Sequence, residues 1–237
     1  MSVPNKYEGG KNGSGTYQQI INLIPEHKFY FELFVGSGAI YRNKLPAAIS
    51  FLSDMDQKLI DSWINENIPG AIFQKMDAIC FLETSIILIN LLHDIAGKVF
   101  MYLDPPYPFF VRRSNSNIYK YELTNEQHQR LLIACSNAKF PVMISSYKNK
   151  MYDVLLRTWN TYQFKNQTRV GSVMECLYYN YPIPDRLHDY RYIGNTFRQR
   201  ERFKLAQKNM ISKFSRMPVI FRNAIIDELN TKFNEKA

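Results

Sequence analysis

Asp104-Pro105-Pro106-Tyr107 sets a carboxylate, a backbone carbonyl and an aromatic ring on one short segment. Val99 to Leu103, just ahead of it, is apolar or aromatic throughout and reads as a buried strand. Proline donates no ladder hydrogen bond and restricts the residue before it, so two in succession end that strand. The polar groups then stand on a rigid corner at a strand's carboxyl end, where open α/β sheets bind ligands. An ordinary turn with an Asx-type start is the competing reading.

Three segments upstream have the composition of a ligand cradle. Residues 5–16 are glycine-rich, and Gly10 with Lys11 offers close backbone approach and a positive charge for a carboxylate or phosphate. The alternative there is a flexible tail. Phe29 to Val35 reads as a second buried strand running into Gly36-Ser37-Gly38-Ala39, and a strand feeding a Gly-x-Gly turn is the nucleotide-cradling device of doubly wound folds. The third glycine of the dinucleotide fingerprint is missing, which disfavours a diphosphate cofactor. Ala47 to Leu52 reads as a further strand followed by Asp54 and Asp56. Asp54 is the candidate for ribose hydroxyls, and one of the two acids is expected to cap the helix over 57–65. Asp77 has two open readings, contact with a cofactor base or a helix cap.

The elements that must hold these residues follow from periodicity. Thr16 to Ile24 has helical spacing, residues 71–82 begin as a strand and finish as a helix, and Thr84 to Ala96 is an apolar helix. Thr124 opens a capping box for a helix to about Asn137, and Pro141 to Ser145 is another strand. Residues 159–164 and 174–181 are the last two strands, expected as an antiparallel hairpin finishing an otherwise parallel sheet. The prediction is therefore an α/β, Rossmann-like sheet over residues 1–184 and a helical appendage over 185–237. In the appendage, Thr196 to Gln199 is a capping box, and Pro218 starts a second amphipathic helix.

Charge points to a polyanionic partner. The chain of 237 residues carries a formal net charge of +9. Seven basic residues against the single acid Glu201 lie between Arg198 and Arg216, so Arg198 and Arg202 are candidate phosphate contacts, with a merely solvated face as the alternative. The loop 108–121, hanging from the Asp104 segment, adds Arg112, Arg113 and Lys120 among aromatics suited to base stacking. Cys80, Cys135 and Cys176 are scattered in apolar runs and read as buried free thiols, and no His pair has ligand spacing, so no metal site is expected. The first residues lack an apolar signal region, and the run Ile86 to Leu92 is too short to cross a bilayer; a cytoplasmic protein without a membrane partner is the expectation.

Taken in order, Tyr7-Glu8-Gly9-Gly10-Lys11, Glu32 to Ala39, Leu52-Ser53-Asp54 and Asp104-Pro105-Pro106-Tyr107 resemble the motifs of DNA adenine methyltransferases of the bacterial and phage GATC-methylating type. The segment from Glu175 to Arg202 resembles phage and prophage members, and whether a restriction-modification partner exists is left open. The resemblance implies S-adenosylmethionine as cofactor, contacted by Tyr7, Lys11, the Phe34–Gly38 loop, Asp54 and Asp104. It implies Asp104 to Tyr107 as the catalytic segment, with Tyr107 stacking on an adenine flipped out of double-stranded DNA. Relatives that read GATC carry a recognition insert between the Asp54 region and the catalytic segment, and that insert is largely absent here. The loop 108–121 and the basic tail are expected to take over DNA contact, with a homodimer or a specificity partner as further open possibilities. An RNA or protein-amide methyltransferase and a non-catalytic DNA-binding relative are the rival readings.

Overall fold

The computed structural model describes residues 10–13, 15–112, 119–168 and 171–234. Its centre is a seven-stranded sheet in the order β3-β2-β1-β4-β5-β7-β6. The strands are β1 (Phe29–Glu32), β2 (Ile49–Asp54), β3 (Ala71–Lys75), β4 (Val99–Leu103), β5 (Val142–Tyr147), β6 (Asn160–Thr168) and β7 (Gly171–Tyr179). β1 to β5 are mutually parallel, whereas β7 runs antiparallel to both β5 and β6. The expected Rossmann-like sheet, mostly parallel with a terminal antiparallel hairpin, is present. Both hairpin strands extend into the segment expected to join them, because the ladder continues to Thr168 opposite Gly171.

β4 is buried on both faces and shows why its sequence has no polar alternation. Val99, Met101 and Leu103 enter one core with Leu82, Ile86, Leu131 and Leu132. Phe100 and Tyr102 enter the other, with Tyr30, Leu52, Ile60 and Trp63. The first core is covered by α4 (Ala78–Ala96), α5 (Asn125–Ser136) and α6 (Lys150–Leu155), the second by α1 (Thr16–Ile21), α2 (Ala39–Asn43) and α3 (Gln57–Ile64).

Several expectations shift by a few residues for identifiable reasons. β2 starts and ends later than 47–52, because its parallel pairing with β3 runs on to Asp54 opposite Lys75. The apolar run expected as two pieces is the single helix α4: Asp77 caps it, and Thr84 bonds back to the Cys80 and Phe81 carbonyls instead of starting a helix. By length and composition α4 is apolar enough to cross a membrane, unlike the shorter run considered from sequence. It is packed on the sheet through Ala78, Ile79, Leu82, Ile86 and Ile89. Cys80 is exposed, not buried, since it lies on the outer side of the first turn; Cys135 and Cys176 are buried.

The chain divides after Tyr192, later than the change of composition at 184. Residues 185–192 are tied into the first unit by long-range bonds. Leu45 N–H donates to the fully buried Asp189 (3.1 Å), Arg191 donates to the Asn43 carbonyl (2.7 Å), and His188 N–H donates to the Ile24 carbonyl (3.0 Å). The second unit consists of α7 (Phe197–Ser215), with the expected Thr196–Gln199 capping box, and α8 (Val219–Asn234).

Candidate active site

The carboxyl ends of β1, β2 and β4 open on a cleft lined by Gly10, Lys11, Glu32, residues 34–37, Asp54, Asp104, Pro106, Tyr119 and Tyr121 among others. Sequence-distant candidates meet here because Glu32, the last residue of β1, pairs with Tyr102 of β4, two residues before Asp104.

The loop after β1 is shaped by two glycines. Gly36 and Gly38 have φ of +48° and +67°, the left-handed region where other residues are strained. At Gly38 a Cβ would fall 2.5 Å from the Trp63 ring, so the close approach also demands glycine. Trp63 Nε1 donates to the Gly36 carbonyl (3.0 Å) and clamps the turn. Asp54 accepts from the Gly36 N–H through Oδ2 and from the Asp56 N–H through Oδ1, both at 3.0 Å. Asp56, not Asp54, caps α3. Asp54 therefore stays beside the glycine loop at the cleft, and burial raises its carboxyl above the ordinary value against the pull of those N–H bonds.

Asp104 stands over the cleft with its side chain 17% exposed, and Lys11 Nζ donates to its Oδ1 at 2.8 Å. Among the described residues Oδ2 has no hydrogen-bond partner. Burial raises the Asp104 carboxyl above its usual range, opposed by the Lys11 ammonium. Burial also works against the charge on Lys11, but the Asp104 and Glu175 carboxylates outweigh it and hold the amine protonated. Glu32, on the cleft floor, is pushed up to about 8 by burial despite the Tyr30 hydroxyl donated to it at 2.7 Å. A buried carboxylate so poised favours a cation beside it.

Two expectations are corrected, for Tyr107 and Arg112, and one open reading is closed, for Asp77. Tyr107, expected to stack on a base, is buried: its hydroxyl donates to Glu175 and its ring meets Tyr147 edge-on at 4.6 Å. A buried carboxylate needs a donor, and it has captured this one; Tyr119 and Tyr121 face the cleft instead. Arg112 is not a free phosphate contact. Its guanidinium forks onto Glu122 (2.8 and 2.5 Å) and donates to the Tyr107 carbonyl (2.6 Å), so it braces the Asp104–Tyr107 segment from within. Asp77 does not line the cleft; its Oδ1 accepts the Ile79 and Cys80 N–H groups and caps α4. Asp77→Ala should lower stability by about 1 kcal/mol in urea unfolding while leaving cofactor affinity unchanged. Lys120 lies at the rim, paired with Asp56 at 3.0 Å. Arg198 and Arg202 lie on α7, in the second unit. Tyr7 and Arg113 fall outside the described residues.

Glu32 and Glu175 were missed as site residues. Each is an acid inside an otherwise apolar strand, flanked by Phe31 and Leu33 and by Met174 and Cys176. That pattern is the signal that could have found them, because an unpaired buried charge is costly.

The strand order, with a glycine turn at the carboxyl end of β1 and an acid at the end of β2, is the arrangement in which doubly wound α/β proteins hold a nucleoside-type cofactor. Residues 82–170, which include the Asp104 segment, match the family model of D12 class N6 adenine-specific DNA methyltransferases, and this supports an adenine DNA methyltransferase family. The family implies S-adenosylmethionine as cofactor. No curated protein matches the chain in sequence. Among solved structures, TrmK of M. capricolum in complex with S-adenosylhomocysteine is 11% identical, covering 92% of this chain and 95% of that one with a TM-score of 0.45. A putative RNA methyltransferase from Pyrococcus horikoshii is 11% identical over 76% and 90%, with a TM-score of 0.46. A dimethyladenosine transferase from Plasmodium falciparum is 13% identical over 72% and 63%, also at 0.46.

The cleft fits the cofactor on its own geometry. It combines a turn that a Cβ would fill, a carboxylate beside that turn, and a buried acid suited to an ammonium group.

Proposed function

We propose that this protein transfers a methyl group to the 6-amino nitrogen of adenine in double-stranded DNA. The observation that carries the reading is Asp104, held by Lys11 through one oxygen and offering the other to the cleft. In the cleft the cofactor supplies an electrophilic methyl group. Asp54 would hold ribose hydroxyls, Glu32 the ammonium of the methionine part, and the turn at Gly36 and Gly38 lets backbone approach it.

An adenine amino nitrogen is a weak nucleophile because its lone pair is delocalised into the ring. The Asp104 carboxylate and the Pro105 carbonyl accept its two N–H bonds, which turns the lone pair out of the ring plane toward the methyl group. To reach them the base must leave the stack, and Tyr119 and Tyr121 provide aromatic surface at the cleft to receive it. The match over 82–170 supports adenine as the target.

Sequence choice needs another device. Residues 57–103 are consumed by α3, β3, α4 and β4, which leaves no room there for a recognition insert. Arg198 and Arg202 of α7, with Lys120 at the rim, are the proposed phosphate contacts. Reversing the charge at Arg198 and Arg202 should weaken duplex binding and flatten the plot of log affinity against log salt by about 0.9 per lost contact. An unchanged slope removes α7 from the interface.

The deciding experiment follows labelled methyl from S-adenosylmethionine into duplex DNA and into RNA of the same sequence, with Asp104→Ala as control. Label in N6-methyladenine of the duplex is the expected result. Cofactor binding without transfer to either nucleic acid would overturn the proposal, and transfer to RNA alone would reassign the substrate.

A further inference from the structure

Glu175 lies on β7, on the antiparallel part of the sheet, yet its carboxylate ends at the catalytic segment. Its side chain is 2% exposed. Oε1 accepts the Tyr107 hydroxyl and lies 3.5 Å from Lys11 Nζ, while the Asn166 amide donates to Oε2 at 3.3 Å. Lys11 thus sits between two carboxylates, 2.8 Å from Asp104 and 3.5 Å from Glu175, and over the Tyr107 ring at 4.9 Å. One buried ammonium serves two acids, Glu175 buried and Asp104 part-exposed at the cleft.

We infer that Glu175 is a positioning residue for methyl transfer: it shares the Lys11 ammonium with Asp104 and anchors Tyr107, so that Asp104 keeps its strength as an acceptor. The inference rests on the role proposed for Asp104. Coulomb attraction to an ammonium weakens a carboxylate as a hydrogen-bond acceptor, and the effect is large where water is excluded. Were Lys11 to belong to Asp104 alone, Asp104 would be fully neutralised. With Glu175 ionised, the three groups together retain one negative charge, and the cleft-facing Oδ2 of Asp104 is where a substrate N–H can meet it. Anchoring of the Tyr107 hydroxyl fixes the same segment from below, beside the Arg112 bond to the Tyr107 carbonyl.

Glu175 is also placed to titrate within the working range, since burial pushes it up to about 7 against the pull of Lys11. The titratable groups around it are Lys11 from the N-terminal turn, Asp104 and Tyr107 after β4, Tyr147 opposite it on β5 and its neighbour Cys176. β6 contributes the uncharged Asn166. When Glu175 takes up a proton, Lys11 passes wholly to Asp104, and transfer should slow on the acid side.

The test uses the full chain with the aspartate carboxyl carbons labelled, Asp104 being assigned by its loss in Asp104→Asn. In the unmodified protein the Asp104 carboxyl signal should show a second inflection near the pH at which Glu175 titrates. In Glu175→Gln that inflection should vanish, the main titration of Asp104 should move to lower pH, and kcat should fall about 10-fold or more with the cofactor Kd within about 2-fold. Glu175→Asp, which retains the charge, should recover the second inflection and part of the rate. A single inflection in the unmodified protein, or the same Asp104 titration in Glu175→Gln as in the parent, overturns the inference. Both readouts are free of DNA, so they stand apart from the choice of substrate. A parent that transfers no methyl would refute the proposed function and leave the titration to judge the shared ammonium.

Discussion

Asp104→Ala is expected to lower single-turnover methyl transfer by about 10²–10⁴-fold, the usual range for loss of a positioned proton acceptor. The physical reason is the two roles of its oxygens. Oδ1 anchors the carboxylate to Lys11 at 2.8 Å, and Oδ2 is left to the cleft. Alanine removes the acceptor but leaves the ammonium within 3.5 Å of Glu175, so the fold has a remaining counter-charge. The cofactor contacts proposed at Asp54, Glu32 and the glycine turn are untouched. Apart from the contact the resemblance gives to Asp104 itself, the cofactor keeps its partners, so its Kd should weaken by less than about 10-fold while the rate falls much further. Stopped assays with and without excess DNA give both numbers. A rate within about 10-fold of the parent would remove Asp104 from the reaction.

Lys11→Met is expected to give the largest loss of stability. Methionine fills similar volume but leaves Asp104 and Glu175 facing one another without a cation. Removing one member of a buried ion pair costs about 3–5 kcal/mol. The deficit has a definite pH dependence. Burial already raises both carboxyls, Glu175 to about 7, and loss of the ammonium raises them further. A group raised in the folded state is stabilising below its unfolded pKa, and that contribution is lost as pH rises through the folded value. The Lys11→Met deficit should thus be small near about pH 5, where both acids accept protons, and largest above about pH 8. Urea midpoints for the variant and the parent at the two pH values check this; a deficit independent of pH would mean that the two acids do not feel Lys11.

What could be read from the chain was what is local. The Gly36–Gly38 turn, the Asp104 corner and both capping boxes announce themselves within four or five residues, because backbone geometry imposes them. Periodicity found the central strands β4 and β5 as continuous apolar runs because both of their faces are buried. Its limits lay where a distant partner decides. Arg112 in a basic loop suggested phosphate, yet Glu122 takes it, and the pairing depends on how the loop folds back. Asp77 was balanced between two roles until the start of α4 at Ala78 placed it in the cap. Residues 185–192 resembled the tail in composition, but Asp189 and Arg191 are claimed by residues near 45. Tyr107 was placed by its motif and turned inward by Glu175, which arrives from β7.

The pairing of β1 with both β2 and β4 has a consequence for how the molecule is made. β1 reaches one neighbour through a short connection, but its other edge waits for residues 99–103. A chain emerging from the ribosome holds the glycine turn long before the strand that carries Asp104 exists. Throughout that interval the β1 edge offers unpaired N–H and C=O groups lined with aromatic side chains, a template for wrong pairing. Closure over so long a loop is also slow relative to local hairpins. The cleft therefore comes into being at one late step, when β4 docks. Cofactor bound before that step would find no second wall, so its binding reports completion of the central sheet, and high cofactor levels during refolding should raise the yield of native protein by capturing the docked state.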